Sequence, residues 1–247
     1  MILTIAGKEL RRLFISPLAW VILAFLQFVL ANVFLSHLAD FVQLQPQLAM
    51  MPAAPGLTAM VVTPTFGTAI IVLLMVTPLL SMRLIAEERR NQTLPFLMSA
   101  PVSITQIVLG KFVGLLAFLL LGVGLLVVMA ASLYSGGKLS LGLLAGNLLG
   151  LLLVCGCFAS VGLYLSSLTS HPLVAGVGTL AVLLGLWLID ISASDPGSAL
   201  HSLSLIRHFE TFSRGTVALN DAAYYVVLIA LFLLLTIRRL DADRLRA

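Results

Sequence analysis

The stretch that decides the fold runs from Arg83 to Lys111 and reads RLIAEERRNQTLPFLMSAPVSITQIVLGK. It is the densest charged segment of the chain, because five charged residues fall within eight positions: Arg83, Glu87, Glu88, Arg89 and Arg90. A short apolar run then follows among prolines: Leu94, Phe96 and Leu97. Apolar stretches long enough to cross a membrane flank it on both sides. We therefore expect a polar, partly helical insert at one membrane face, where a water-soluble partner can bind it.

Composition makes the chain a membrane protein. Of its 247 residues, 60% are hydrophobic and only 10% are charged, whereas a soluble domain carries about 25% charged residues. Such a chain cannot cover a globule with polar surface, so the bilayer must be its solvent. The net charge of +4 does not indicate nucleic-acid binding, because the basic residues lie at predicted membrane edges and form no patch interleaved with aromatic residues.

Hydropathy predicts an all-α integral membrane protein with six transmembrane helices. The predicted spans cover about 18–35, 65–82, 112–133, 141–165, 173–191 and 222–237. Residues 2–15 precede them as an amphipathic helix in the headgroup plane, with Lys8, Arg11 and Arg12 on its polar face. Residues 36–64 contain four prolines and are predicted to form a loop. The last span is short for a bilayer that needs about 20 residues.

Two patterns outside the charged stretch predict close packing at the other face. The fourth span carries Gly142, Gly146 and Gly150 at intervals of four, which lets another helix approach closely. In the polar region before the last span, three apolar residues share one helical face: Leu205, Phe209 and Phe212. Gly215 is a suitable residue to end that helix.

The basic residues predict the orientation. Eleven lie on one side of the membrane: Lys8, Arg11, Arg12, Arg83, Arg89, Arg90, Lys111, Arg238, Arg239, Arg244 and Arg246. Three lie on the other: Lys138, Arg207 and Arg214. Because cytoplasmic loops collect Lys and Arg, both termini and the charged stretch are expected in the cytoplasm.

The sequence predicts no catalytic and no metal-binding residue. It contains no phosphate-binding Gly-x-x-x-x-Gly-Lys-Ser/Thr loop, and no span carries a carboxylate pair, a two-His pattern or a Ser/His pair. An ion-driven carrier would need such groups in its spans. We therefore expect a non-enzymatic chain that binds no cofactor and receives its energy from outside the membrane.

The residues of the charged stretch resemble the coupling region of ABC-2 type permeases. They are especially similar to those of the gliding-motility and nitrous-oxide-reductase-maturation (copper-processing) group. Two further matches are HFETFSRG at residues 208–215, with Asp221 and Tyr224-Tyr225 after it, and the Lys8-Glu-Leu-Arg start with Ser16-Pro17. Gln92 stands where a Gly is common in the group. Together the matches cover the chain from end to end.

This resemblance implies one transmembrane domain over residues 1–247, in three functional parts. The elbow helix would use Lys8, Glu9, Arg11 and Arg12. A cytoplasmic coupling helix within 83–111 would contact the ATPase through Arg83, Glu87, Glu88, Arg89, Arg90, Leu94, Phe96 and Leu97. A partly re-entrant outer segment would contain His208, Phe209, Glu210, Phe212, Arg214 and Gly215.

The resemblance also implies partners and a location. Two separate ATPase subunits would hold ATP and Mg, and a second permease copy or a paralogue would complete the complex in the bacterial inner membrane. A periplasmic or accessory protein is compatible with this arrangement. The leading hypothesis is a permease subunit that couples ATP hydrolysis to export. The alternatives are a mechanotransmitter, which moves a periplasmic partner without translocating a solute, and a membrane scaffold without a transport role.

The Lys and Arg distribution makes a prediction about topology. In a background lacking Cys155 and Cys157, a cysteine at Ser99 should react with impermeant thiol reagents only from the cytoplasmic side. A cysteine at Ser198 should react only from the outer side, because the basic residues orient the spans. Labelling of both from the same side would contradict the six-span arrangement.

Overall fold

The computed structural model describes residues 1–48, 50, 55–93, 102–135, 139–192 and 204–244, and these residues form helices and no strand. In chain order the helices are α1 (Ile2–Ile15), α2 (Pro17–Leu48), α3 (Thr63–Ser81), α4 (Ala86–Arg90), α5 (Ile104–Ser132), α6 (Leu141–Leu168), α7 (Pro172–Ser192), α8 (Leu205–Ser213) and α9 (Leu219–Arg244). A π-helical turn, Thr58–Val62, leads into α3, and a 3-10 turn, Leu133–Ser135, follows α5.

Six of the described helical stretches are long and apolar enough to cross a bilayer, so the predicted all-α membrane fold is confirmed. They correspond to α2, the stretch Thr58–Arg90 that contains α3 and α4, and then α5, α6, α7 and α9. Helices suit this environment because they satisfy their backbone hydrogen bonds internally, which lipid cannot do for them.

Helix α6 lies at the centre of the bundle. It packs against α3, α5, α7, α8 and α9. Its apolar stretch and that of α3 are mostly buried, whereas α2, α7 and α9 direct most of their side chains outward. The small side chains of α6 allow this number of neighbours, since Gly146, Gly150 and Gly156 each lie against another helix.

The first span is longer than predicted, and the loop assigned to residues 36–64 is wrong in its first part. Helix α2 has 32 residues and contains Pro46. Pro46 lies in the last turn, where the helix loses one backbone hydrogen-bond donor and still continues to Leu48. At 1.5 Å per residue α2 is about 48 Å long, longer than the apolar core of about 30 Å. The second span likewise begins earlier than residue 65, with the π-helical turn at Thr58.

The third and last spans also exceed their predicted bounds. Helix α5 begins at Ile104 rather than at 112, because Ser103 and Gln106 form a capping box. Residues 104–111 therefore belong to a spanning helix and not to the insert. Helix α9 has 26 residues and continues through the basic residues after 237, so it is not short. Charged side chains prolong a helix beyond the bilayer without interrupting it.

Helix α8 packs flat on α6, with its predicted apolar face inward. Phe209 and Phe212 are buried. A Cβ at Gly146 would lie 2.5 Å from the Phe212 carbonyl oxygen, and a Cβ at Gly150 would lie 2.9 Å from the Phe209 ring. The chain leaves α8 at Gly215, whose φ of +76° favours glycine.

Gly146→Leu should lower the folded yield and the melting temperature in detergent. Any side chain at 146 must displace the backbone of α8, and overpacking of this kind costs about 1–3 kcal/mol or more. Gly142→Leu is the matched control, because nothing lies within 4 Å of a Cβ at that position of the same helix. Equal yields and melting temperatures for the two variants would show that the contact between α6 and α8 does not stabilise the fold.

Candidate functional site

Helix α1 approaches α5 closely at two glycines. A Cβ at Gly110 would lie 2.6 Å from the Ile5 side chain, and a Cβ at Gly114 would lie 2.9 Å from Glu9 Cβ and 3.0 Å from the Ala6 carbonyl oxygen. The face of α1 that contains Ala6 and Glu9 is buried in this contact. Glu9 is thereby brought to the turn of α5 that carries Lys111.

The Lys111 ammonium is the centre of the site. Its side chain is 1% exposed, and Nζ donates to Glu9 Oε1 at 2.8 Å, to the Leu84 carbonyl oxygen at 2.8 Å and to Glu88 Oε1 at 2.6 Å. A lysine ammonium has three N–H donors, so each has an acceptor. The three acceptors come from α1, from the turn after α3 and from α4. One buried cation therefore joins three parts of the chain to α5.

The contacts of buried Lys111 contribute more to stability than the exposed ion pairs around them. Removing one partner of a buried charged pair costs about 3–5 kcal/mol, because the other charge remains in a low-dielectric environment. The Arg12–Glu87 pair, at 2.9 Å, has side chains that are 42% and 31% exposed, and such pairs contribute about 0–1 kcal/mol. The Arg12–Glu87 pair thus links the charged stretch to α1, but the stronger link is through Lys111.

Helix α4 is also fixed to α6. It has no capping side chain of its own. Instead, Ser166 Oγ accepts hydrogen bonds from the backbone N–H groups of Ile85 at 3.0 Å and Ala86 at 3.1 Å. The same hydroxyl donates to the Met82 carbonyl oxygen at 3.1 Å. A serine on the fourth span therefore satisfies the backbone where the second span ends.

Arg89 connects α4 to the end of the last span. Its Nη2 donates to Asp243 Oδ2 at 2.6 Å and to the Ser167 carbonyl oxygen at 2.7 Å. Arg239 lies 3.9 Å from the other oxygen of Asp243. We call the end of the bundle formed by α1, α4 and the C-terminal turns of α9 the charged face.

Beyond α4 the chain turns at Gln92. Its φ of 54° is in the left-handed region, which explains why a glycine suits this position in similar sequences. The Thr93 backbone N–H donates to the Glu88 carbonyl oxygen at 3.0 Å. The predicted contact residues Leu94, Phe96 and Leu97 lie outside the described residues.

The remaining predicted residues of the charged face are on its surface. Arg83 and Arg90 in the charged stretch are exposed. Lys8 and Arg11 on α1 are exposed as well. The structure thus divides the predicted residues into a buried junction, to which Glu9 and Glu88 belong, and a set of cations available to other molecules.

At the opposite end of the bundle, α8 is held to α9 by polar contacts. His208 Nδ1 lies 2.6 Å from Asp221 Oδ1, and the His208 ring stacks on Tyr224 with centroids 4.1 Å apart. The Tyr225 hydroxyl donates to the Leu205 carbonyl oxygen at 2.6 Å. Glu210 and Arg214 lie 3.7 Å apart on the exposed side of α8. How deep α8 lies in the bilayer stays a prediction.

Sequence reasoning missed several residues of the charged face. Lys111 was used only to orient the chain, although its place among apolar residues and between Gly110 and Gly114 indicates burial in a helix contact. Glu9 was predicted as an elbow-helix residue, and its burial could also be inferred because it shares a face of α1 with Ala6 and Leu13. Ser166, Ser167 and Asp243 carry no local signal of this kind, since their partners are about 80 or 154 positions away.

The polar contacts of the charged face connect helices to one another. Among the described residues, no three His, Cys, Asp or Glu side chains converge to hold a metal ion. The charged groups of the charged face bind one another or face solvent. They attach α4 to four other helices, which are α1, α5, α6 and α9.

Comparison with known families identifies a match over nearly the whole chain. The family described as ABC-2 family transporter protein matches residues 3–245. The matched region extends from α1 to the end of α9 and so includes both ends of the bundle. No curated protein matches the chain.

Lys111→Met should lower the free energy of unfolding by about 3–5 kcal/mol, because it leaves Glu9 and Glu88 without their buried cation. Denaturant titration in detergent measures this value. Lys8→Met is the matched control, since it removes the same charge from an exposed position of α1. Equal stability of the two variants would contradict the central role of Lys111.

Proposed function

The chain belongs to the ABC-2 family of transporter proteins, and from this premise we propose that it couples ATP hydrolysis on a separate ATPase subunit to export across the membrane. Membership makes it the permease subunit of an ABC transporter and a multi-pass membrane protein. The proposal adds the coupling route, the direction of transport and the partners.

One observation carries the proposal: α4 is attached to α1, α5, α6 and α9 at the same time. A five-residue helix is too short to be stable alone. Its stability comes from the contacts with Lys111, Ser166, Ser167 and Asp243. A partner that moves α4 therefore moves the helices that hold it. This is what a coupling element requires.

Helix α9 offers a route from the charged face to the opposite end. Asp243 pairs with Arg89 at one end, and Asp221 pairs with His208 of α8 near the other. The two aspartates are 22 positions apart, or about 33 Å along a helix, which is about the thickness of the apolar core. A displacement of α4 along α9 would reach α8.

This route supports both transport hypotheses. If a solute path opens at α8, the chain works as an exporter. If α8 contacts a periplasmic protein instead, the chain works as a mechanotransmitter without moving a solute. A scaffold without a transport role needs neither an anchored α4 nor a connection between the two ends, so we place it last.

The proposed complex contains two ATPase subunits, which hold ATP and Mg, and two permease chains, either identical or paralogous. Exposed Arg90 and the apolar residues 94–97 are the surface proposed to bind the ATPase. A short apolar helix fits a groove on a soluble partner in this way. The excess of Lys and Arg on the charged face supports a cytoplasmic location for it, in a bacterial inner membrane.

Phe96→Ala should weaken binding of the partner ATPase by about 1–3 kcal/mol, as loss of a buried aromatic anchor does. Co-purification from detergent and ATP turnover in lipid discs measure the effect. Phe28→Ala is the control, because Phe28 is an exposed side chain of α2, far from the charged stretch in sequence. Unchanged assembly and turnover in Phe96→Ala would show that residues 94–97 are a passive loop.

A further inference from the structure

A crevice opens between α1, the start of α2, the end of α3 and α4. Its cavity of about 90 Å³ has room for several water-sized groups. Four charged side chains line it: Glu9, Arg12, Arg83 and Glu87. Ser16 and several leucines complete its walls. The crevice therefore combines cations and carboxylates with an apolar wall, at the level where the second span leaves the membrane.

Some charged side chains of the crevice already form ion pairs, and others remain able to bind a ligand. Glu9 is bound to Lys111, and Glu87 uses Oε2 toward Arg12. No described residue pairs with the Arg83 guanidinium, although that side chain lines the cavity. Arg83 is a planar donor suited to a phosphate. Glu87 is 31% exposed, and its second oxygen remains able to accept from a ligand.

An exposed apolar track on α3 leads to Arg83. Ile71, Met75 and Leu79 follow one another at intervals of four and are 45%, 44% and 46% exposed. Arg83 is the next position in this series. The track is unusual because most of α3 is buried in the bundle. Residues so spaced lie on one side of a helix, so an alkyl chain can lie along them.

We infer that this crevice binds one phospholipid whose headgroup carries a phosphate and a primary ammonium. The phosphate binds Arg83, the ammonium donates to Glu87, and an acyl chain covers Ile71, Met75 and Leu79. A headgroup with a quaternary amine cannot donate a hydrogen bond, and the hydroxyls of phosphatidylglycerol can donate one to Glu87 but carry no positive charge to make it charge-assisted. Phosphatidylethanolamine is therefore the preferred ligand over phosphatidylcholine and phosphatidylglycerol.

Native mass spectrometry tests the inference on the full chain in detergent, titrated with these three lipids of identical acyl chains. One phosphatidylethanolamine should bind about tenfold more tightly than either other lipid, the gain expected from one charge-assisted hydrogen bond. Arg83→Gln and Glu87→Gln should each remove the preference. Arg90→Gln is the control, because Arg90 is exposed in the same stretch but does not line the crevice.

Two further outcomes are informative. Soluble phosphoethanolamine should compete only weakly, since it lacks the chain that covers the track, and Leu79→Asn should weaken lipid binding without changing headgroup preference. Equal binding of all three lipids, or loss of the preference in Arg90→Gln, would overturn the inference. So would a dimer of this chain that excludes the lipid, because a second copy would then cover the track.

Discussion

A buried lysine must have its three N–H groups satisfied, and the rest of the charged face depends on how this chain satisfies Lys111. The acceptors are Glu9, Glu88 and the Leu84 carbonyl oxygen. They converge only if α1 lies close to α5, which Gly110 and Gly114 permit. An unpaired ammonium in this environment would cost several kcal/mol. The ion therefore selects one arrangement of α1, α4 and α5 among the many that apolar packing alone would allow.

The need to satisfy buried polar groups also explains why the short polar helix α4 is stably folded at the end of a membrane bundle. Helix α4 could not persist as an isolated turn, yet Lys111, Ser166 and Asp243 attach it to three spanning helices. The apolar spans supply stability, and the few polar contacts determine to which helices α4 is attached. The proposed coupling to a soluble ATPase would use this attachment.

Much of the fold could be predicted because the bilayer leaves few alternatives to apolar helices. The exact ends of the helices could not be predicted, and the reason differs from one helix end to the next. Pro46 lies in the last turn of α2, where its missing donor matters little. Ser103 caps α5 nine residues before residue 112, where the predicted span begins. The charged end of α9 carries Asp243, which binds Arg89, a partner 154 positions away. Lys111 was overlooked as a junction because a lysine at a membrane edge is ordinarily solvated.

The central claim is that contacts of α4 transmit the motion of an ATPase to the spans, and a charge exchange between Arg89 and Asp243 tests it most directly. The measurement is substrate-linked ATP turnover of the assembled complex in lipid discs. Arg89→Asp and Asp243→Arg should each uncouple turnover while the complex stays assembled, and the double variant should recover coupling. Asp241→Arg, at an exposed position of the same helix, should behave as wild type. Normal coupling in both single variants would contradict the account.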